Sequence, residues 1–135
     1  MIKSFLYVNA KKTDIFLKKY LNSQSKQGLI TAMKYGSLSG GKKIRSSIII
    51  ATGKLFNIKA NKLLNICAAV ECIHSYSLIH DDLPCMDNDR MRRGKLATHI
   101  KFGESTAILA GNSLLTLAFE MIADSNYKIE NKAKT

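Results

Sequence analysis

The sequence has no tryptophan, one proline and three cysteines in 135 residues, and its eight glycines form no low-complexity run. A many-stranded β protein needs turn residues at short intervals, and their scarcity argues against that class. Cys67, Cys72 and Cys85 are an odd set with no C-x-x-C pair. Structural zinc needs four closely spaced ligands, so Cys67, Cys72 and His74 read as two reduced thiols and an ordinary histidine. Reduced thiols point to a cytoplasmic setting. The N-terminal MIKSFLYVNAKK has too short an apolar stretch for a signal-peptide core. The most apolar segment, Ala107 to Ala123, is interrupted by Asn112, Thr116 and Glu120. A span needs roughly 20 predominantly apolar residues, so a buried helix and no membrane span are expected.

Acidic residues are also few, 10 against 21 basic ones, giving a net charge of +11. That balance suits nucleic acid, a membrane surface or small anionic substrates. Nucleic acid is disfavoured, because aromatic residues are not interleaved with the basic ones as a stacking surface requires. Four of the basic residues are arginines (Arg45, Arg90, Arg92 and Arg93) in a chain otherwise dominated by scattered lysine. The arginine fork grips phosphate oxygens bidentately, which lysine cannot do. The acids cluster: Asp81, Asp82, Asp87 and Asp89 are four of six aspartates.

A hydrophobic fraction of 46% is that of a globular chain, and the periodicity is helical. Ile15, Phe16, Tyr20, Ile30 and Met33 predict a helix over 13–35, and GSLSGG at 36–41 predicts a loop. Ile44, Ile48, Ala51 and Leu55 predict a helix over 44–56. A long apolar helix is expected over 61–83, a loop or broken helix over 88–103, and a strong helix over 104–123. The tail SNYKIENKAKT loses periodicity and is expected to fray.

The segment ECIHSYSLIHDDLPCMDNDRMRRG, residues 71–94, carries the chemistry. Residues seven apart return to nearly one helical face, so His74 and Asp81 share a face roughly 10 Å apart along the axis. Asp87 would not join them in a regular helix, since six residues turn through about 600°. Pro84 interrupts the helix and allows Asp87 to swing back. Grouped carboxylates repel unless a cation lies between them, and Mg²⁺ fits because it takes one or two carboxylates and completes its shell with water and phosphate. Upstream, Gly40-Gly41-Lys42-Lys43-Ile44-Arg45 places glycines and cations at a helix N-terminus, where anions bind. The spacing is not that of a P-loop. Together these features predict two phosphate sites, one bridged by Mg²⁺ and one held by basic residues.

GGKKIR, then D-D-x-x-x-x-D followed by R-R-G, then FGESTAILAGNSLLTLAFE resemble the short- and medium-chain polyprenyl diphosphate synthases over residues 36–123. The four-residue spacer is similar to that of bacterial farnesyl diphosphate synthases and of bacterial and plant geranylgeranyl synthases. The resemblance implies an all-α fold, one partial synthase domain over 1–135, being an incomplete portion of the helical bundle around a central cavity. It implies that Asp81 and Asp87, assisted by Asp82, bind Mg²⁺, and that Arg92 holds the allylic diphosphate. Lys42, Arg45, His74 and Arg93 would bind isopentenyl diphosphate, while Tyr76 and Ser77 would floor the product pocket. The implied reaction joins isopentenyl diphosphate to dimethylallyl or geranyl diphosphate, giving farnesyl diphosphate. Ser46 stands where the family usually has proline, and Arg90 where it often has aspartate. The family's second D-D-x-x-D motif lies in its other half and has no counterpart here, so impaired activity is expected. The alternative is an inactive or split-gene fragment that binds Mg-diphosphate or completes a partner's site. The implied partner is a second copy or a complementary C-terminal half.

Overall fold

The computed structural model describes residues 1–24 and 28–125. Among these residues the chain forms six α-helices: α1 (Ile2–Ser23), α2 (Gly28–Ser37), α3 (Ile44–Leu55), α4 (Leu64–Asp81), α5 (Thr98–Phe102) and α6 (Glu104–Ala123). A 3₁₀ turn (Ala60–Leu63) leads into α4. The all-α expectation holds, and α3 and α6 fall where the periodicity placed them.

The central packing is α4 against α6. Both carry small residues at the contact: Ala68, Ala69 and Cys72 on α4, and Ala107, Ala110, Gly111 and Ala118 on α6, all buried. A side chain at Gly111 would collide with the His80 ring, whose Nε2 lies 3.1 Å from the Ile108 carbonyl oxygen. Leu17 and Leu21 of α1, Met33 of α2, and Ile79, Leu114, Leu117 and Met121 complete the core. By length and composition α6 could cross a membrane; in this fold one face of it is buried against α4 and α2.

Two sequence expectations need correction, those over 13–35 and 88–103. The helix expected over 13–35 is two helices, with Gln24 extended after α1 (φ −75°, ψ 163°); residues 25–27 lie outside the described residues, as does the tail over 126–135. Helix α1 also begins much earlier than expected. Its buried face is Asn9, Thr13, Leu17 and Leu21, whereas Ile15 is exposed. The polar pair at the N-terminal end of that face concealed its periodicity, and Thr13 satisfies its hydroxyl by donating to the Asn9 carbonyl.

In α3 the apolar stripe faces outward. Ile44, Ile48, Ala51 and Leu55 are exposed, and the buried face is Ser46, Ser47, Ile50 and Gly53. Gly53 lets α3 approach Leu63 so closely that a Cβ would overlap the leucine side chain. The Ser46 hydroxyl donates to Glu71 Oε1 (2.9 Å).

The segment over 88–103 is neither a plain loop nor a broken helix. It contains an antiparallel ribbon, β1 (Met91–Arg92) against β2 (Lys95–Leu96), followed by α5. Arg93 and Gly94 form its turn with φ of 52° and 75°. Positive φ at both central residues matches the right-handed twist of a two-residue hairpin.

Candidate functional site

Helix α3 starts at Ile44, with Lys42 and Lys43 separating it from Gly40 and Gly41, both of positive φ (83° and 108°). The N-cap residue Lys43 makes no side-chain cap; Glu71 Oε1 accepts from the Ser46 N–H (3.3 Å), and the first turn borders an open cleft of about 590 Å³. Lys42, Arg45, His74 and Arg93 all line that cleft, with Ser39, Gly41, Lys43, Ile44 and Glu71. The four residues expected to bind one diphosphate therefore converge from a loop, two helices and a hairpin turn. Arg93 reaches across because the turn directs its guanidinium to the Gly40 carbonyl, to which it donates. A Cβ at Gly41 would lie 2.6 Å from that guanidinium. Lys42 and Arg45 are exposed, and His74 is half-buried. Burial, and then the Arg45 guanidinium, hold the His74 imidazole below its usual pKa. At neutral pH it is thus uncharged and offers one N–H.

At the far end of α4, the helix stops at Asp81, three residues before Pro84. The Leu83 N–H donates to the His80 carbonyl in a tight turn, and the Asp87 N–H donates back to the Asp81 carbonyl (2.8 Å). The backbone of Asp87 is thereby returned to Asp81. Asp81 is half-buried, and Asp87 and Asp89 are exposed. Among the described residues no three His, Cys, Asp or Glu side chains converge so as to hold a metal by themselves. Asp81 and Asp87 present carboxylate oxygen, the ordinary ligand type of Mg²⁺.

Asp82 is placed differently from Asp81. It is buried, and Arg92 grips it with Nε at 2.9 and 2.8 Å from its two oxygens and Nη2 at 2.6 Å. Arg92 and Arg93 are consecutive but bond different partners, Arg92 the Asp82 carboxylate and Arg93 the Gly40 carbonyl. Tyr76 packs against the main core with its ring edge-on to His80, at 4.6 Å between centroids. The Ser77 hydroxyl donates to the His74 carbonyl (2.9 Å). Neither residue lines the cleft. Cys67 and Cys72 are buried free thiols, pushed up to about 12 chiefly by burial, which leaves them protonated and inert.

A family model described as Polyprenyl synthetase matches residues 26–134. The chain belongs to that family. Among curated relatives, the farnesyl diphosphate synthase of Buchnera aphidicola from Acyrthosiphon pisum is 55% identical over 100 residues, 74% of this chain and 36% of the relative. The farnesyl diphosphate synthase of Escherichia coli is 53% identical over 98 residues, 73% of this chain and 33% of the relative. Among solved structures, a geranyltransferase from Legionella pneumophila superposes with a TM-score of 0.92 at 35% identity, covering 97% of this chain and 47% of that one. The chain thus spans about a third of these curated relatives and about half of that structure.

Two residues of the cleft, Lys43 and Glu71, are not singled out by the sequence. Both carry buried charges. A Lys-Lys doublet behind two glycines gives no sign of which lysine turns inward.

Proposed function

We propose that the protein transfers prenyl groups, condensing isopentenyl diphosphate with dimethylallyl or geranyl diphosphate to give farnesyl diphosphate. The observation that carries this reading is the convergence of Lys42, Arg45, His74 and Arg93 on one cleft, on the same α4 that ends in Asp81. The cations and the α3 N-terminus suit the diphosphate of isopentenyl diphosphate. Asp81 and Asp87 would hold Mg²⁺, which when bound neutralises charge on the departing allylic diphosphate. Asp82, expected to assist with the metal, is engaged by Arg92, and in this reading it holds that arginine, which remains partly exposed, for the allylic diphosphate. In the reaction the allylic C–O bond ionises, the isopentenyl double bond attacks the cation, and a proton is lost. Apolar helices suit that chemistry because a carbocation must be kept from water. The buried thiols fit a cytoplasmic location, and the exposed face of α3 fits a complementary C-terminal half of the synthase as partner.

Calorimetry with an unreactive allylic diphosphate analogue tests the metal assignment. Asp81→Ala is expected to weaken Mg²⁺-dependent binding by about tenfold or more, or ~1.4 kcal/mol. Asp124→Ala, which removes a hydrogen bond from Tyr20 at the other end of the molecule, is the control. Equal losses at the two positions would refute the assignment.

Tyr76 supplies the limit on product length in this reading, and Ser77 lies beside it. In a chimera completed with the remaining length of the Escherichia coli relative, Tyr76→Ala is expected to shift product beyond fifteen carbons. Chromatography of the products decides, and an unchanged distribution removes Tyr76 from that role.

A further inference from the structure

Lys43 and Glu71 line the cleft with side chains only 4% and 2% exposed. The Lys43 ammonium donates to the Ser37 carbonyl at the end of α2 (3.0 Å). It lies 3.5 Å from Asp14 Oδ1 on α1 and 3.7 Å from Glu71 Oε2 on α4. One cation therefore ties together three helices. Glu71 is itself fixed, accepting from the Ser46 N–H (3.3 Å) and the Ser46 hydroxyl (2.9 Å) on α3. The Lys43 backbone sits at φ 45°, ψ 50°, immediately before α3. A side-chain-bearing residue adopts that left-handed conformation only when its surroundings hold it there. The buried ammonium supplies the hold. With Lys43 turned inward, its neighbour Lys42, the first turn of α3 and Arg45 are presented to the cleft.

We propose that Lys43 is a positioning residue for the anion cleft, whose buried ammonium fixes the left-handed turn that aims Lys42, the α3 N-terminus and Arg45 at a diphosphate. This rests on the reading of the cleft as a diphosphate site. The ligand is held by the residues on either side of Lys43, and Lys43 acts through them.

Titration of the full chain with inorganic pyrophosphate, followed by calorimetry, tests the proposal alongside circular dichroism and urea denaturation. Lys43→Met is expected to lower pyrophosphate affinity about tenfold or more. It also strands Glu71, so stability is expected to fall. The double variant Lys43→Met/Glu71→Gln removes the more deeply buried of the two carboxylates that Lys43 pairs, leaving the one-third-exposed Asp14, and preserves the net charge of the Lys43–Glu71 pair. It is expected to regain much of the stability while the affinity stays low. That split separates positioning from a purely structural part, because a structural strut would return both together. A folded Lys43→Met that binds as tightly as wild type overturns the proposal, as does a double variant that recovers stability and affinity together. If Lys43→Met does not fold, the double variant carries the test. Absence of pyrophosphate binding by the wild type removes the cleft reading itself, and the positioning role with it.

Discussion

Arg92→Met is expected to destabilise the fold by roughly 3 kcal/mol, the lower end of what breaking a buried ion pair costs. The loss comes from the partner left behind. Asp82 has 3% of its side chain exposed, and it accepts all of its hydrogen bonds described here from the Arg92 guanidinium. Arg92 keeps 31% of its side chain in solvent, so screening moderates the pair and favours that lower figure over the upper one. Methionine preserves much of the aliphatic stem, which confines the change to charge and hydrogen bonding. Urea denaturation at neutral pH reads the effect as a shift in midpoint at constant slope. Arg92→Met/Asp82→Asn should recover part of the loss, since a neutral amide is less costly to bury than an unpaired carboxylate. An unchanged midpoint for Arg92→Met would mean that the pair merely coexists with the fold.

The 135-residue chain incubated alone with isopentenyl and dimethylallyl diphosphates and Mg²⁺ is expected to form little or no farnesyl diphosphate. Ionising an allylic diphosphate needs its leaving oxygens surrounded by preorganised donors and cations. In this chain the basic cleft is open, Asp81 is half-buried and Asp87 stands in solvent. Each preorganised electrostatic contact that is missing costs on the order of 3 kcal/mol, or about a hundredfold in rate. Several missing together would suppress turnover by many orders of magnitude, even though such losses do not add simply. Product analysis by mass spectrometry, on a chain confirmed intact, is the check. Rapid turnover would show that one carboxylate wall and one basic cleft suffice.

Where apolar side chains carried the structure, the sequence was legible. Helix α6 repeats Ala107, Ala110, Leu114, Leu117 and Met121 on its buried face, and its bounds could be read directly. The face of α1 was hidden because Asn9 and Thr13 are buried polar residues, and periodicity counts only apolar ones. The stripe of α3 was visible, but spacing shows that residues share a face without showing where that face points. The Ser46–Glu71 hydrogen bond, the packing of Ile50 with Leu63 and Cys67, and the close fit of Gly53 on Leu63 hold the Ser46 side of α3 inward. Lys42, Arg45, His74 and Arg93 could be named as a set through the family resemblance, whereas Lys43 and Glu71, which line the same cleft, could not. The pairing of Asp82 with Arg92 could not, because it depends on a two-residue ribbon whose turn is Arg93-Gly94, with no stronger local signal than one glycine.

The outward stripe of α3 makes this protein's colloidal behaviour depend on salt in the opposite sense from an ordinary basic protein. Ile48, Leu55 and Phe56 are 60%, 82% and 71% exposed. At low ionic strength the net charge of +11 keeps copies apart and masks that adhesive surface. In molar salt the reach of those charges shrinks to about 3 Å, while burial of apolar surface remains favourable. Salt, the usual remedy for a sticky cationic protein, therefore removes the repulsion that keeps this one dispersed.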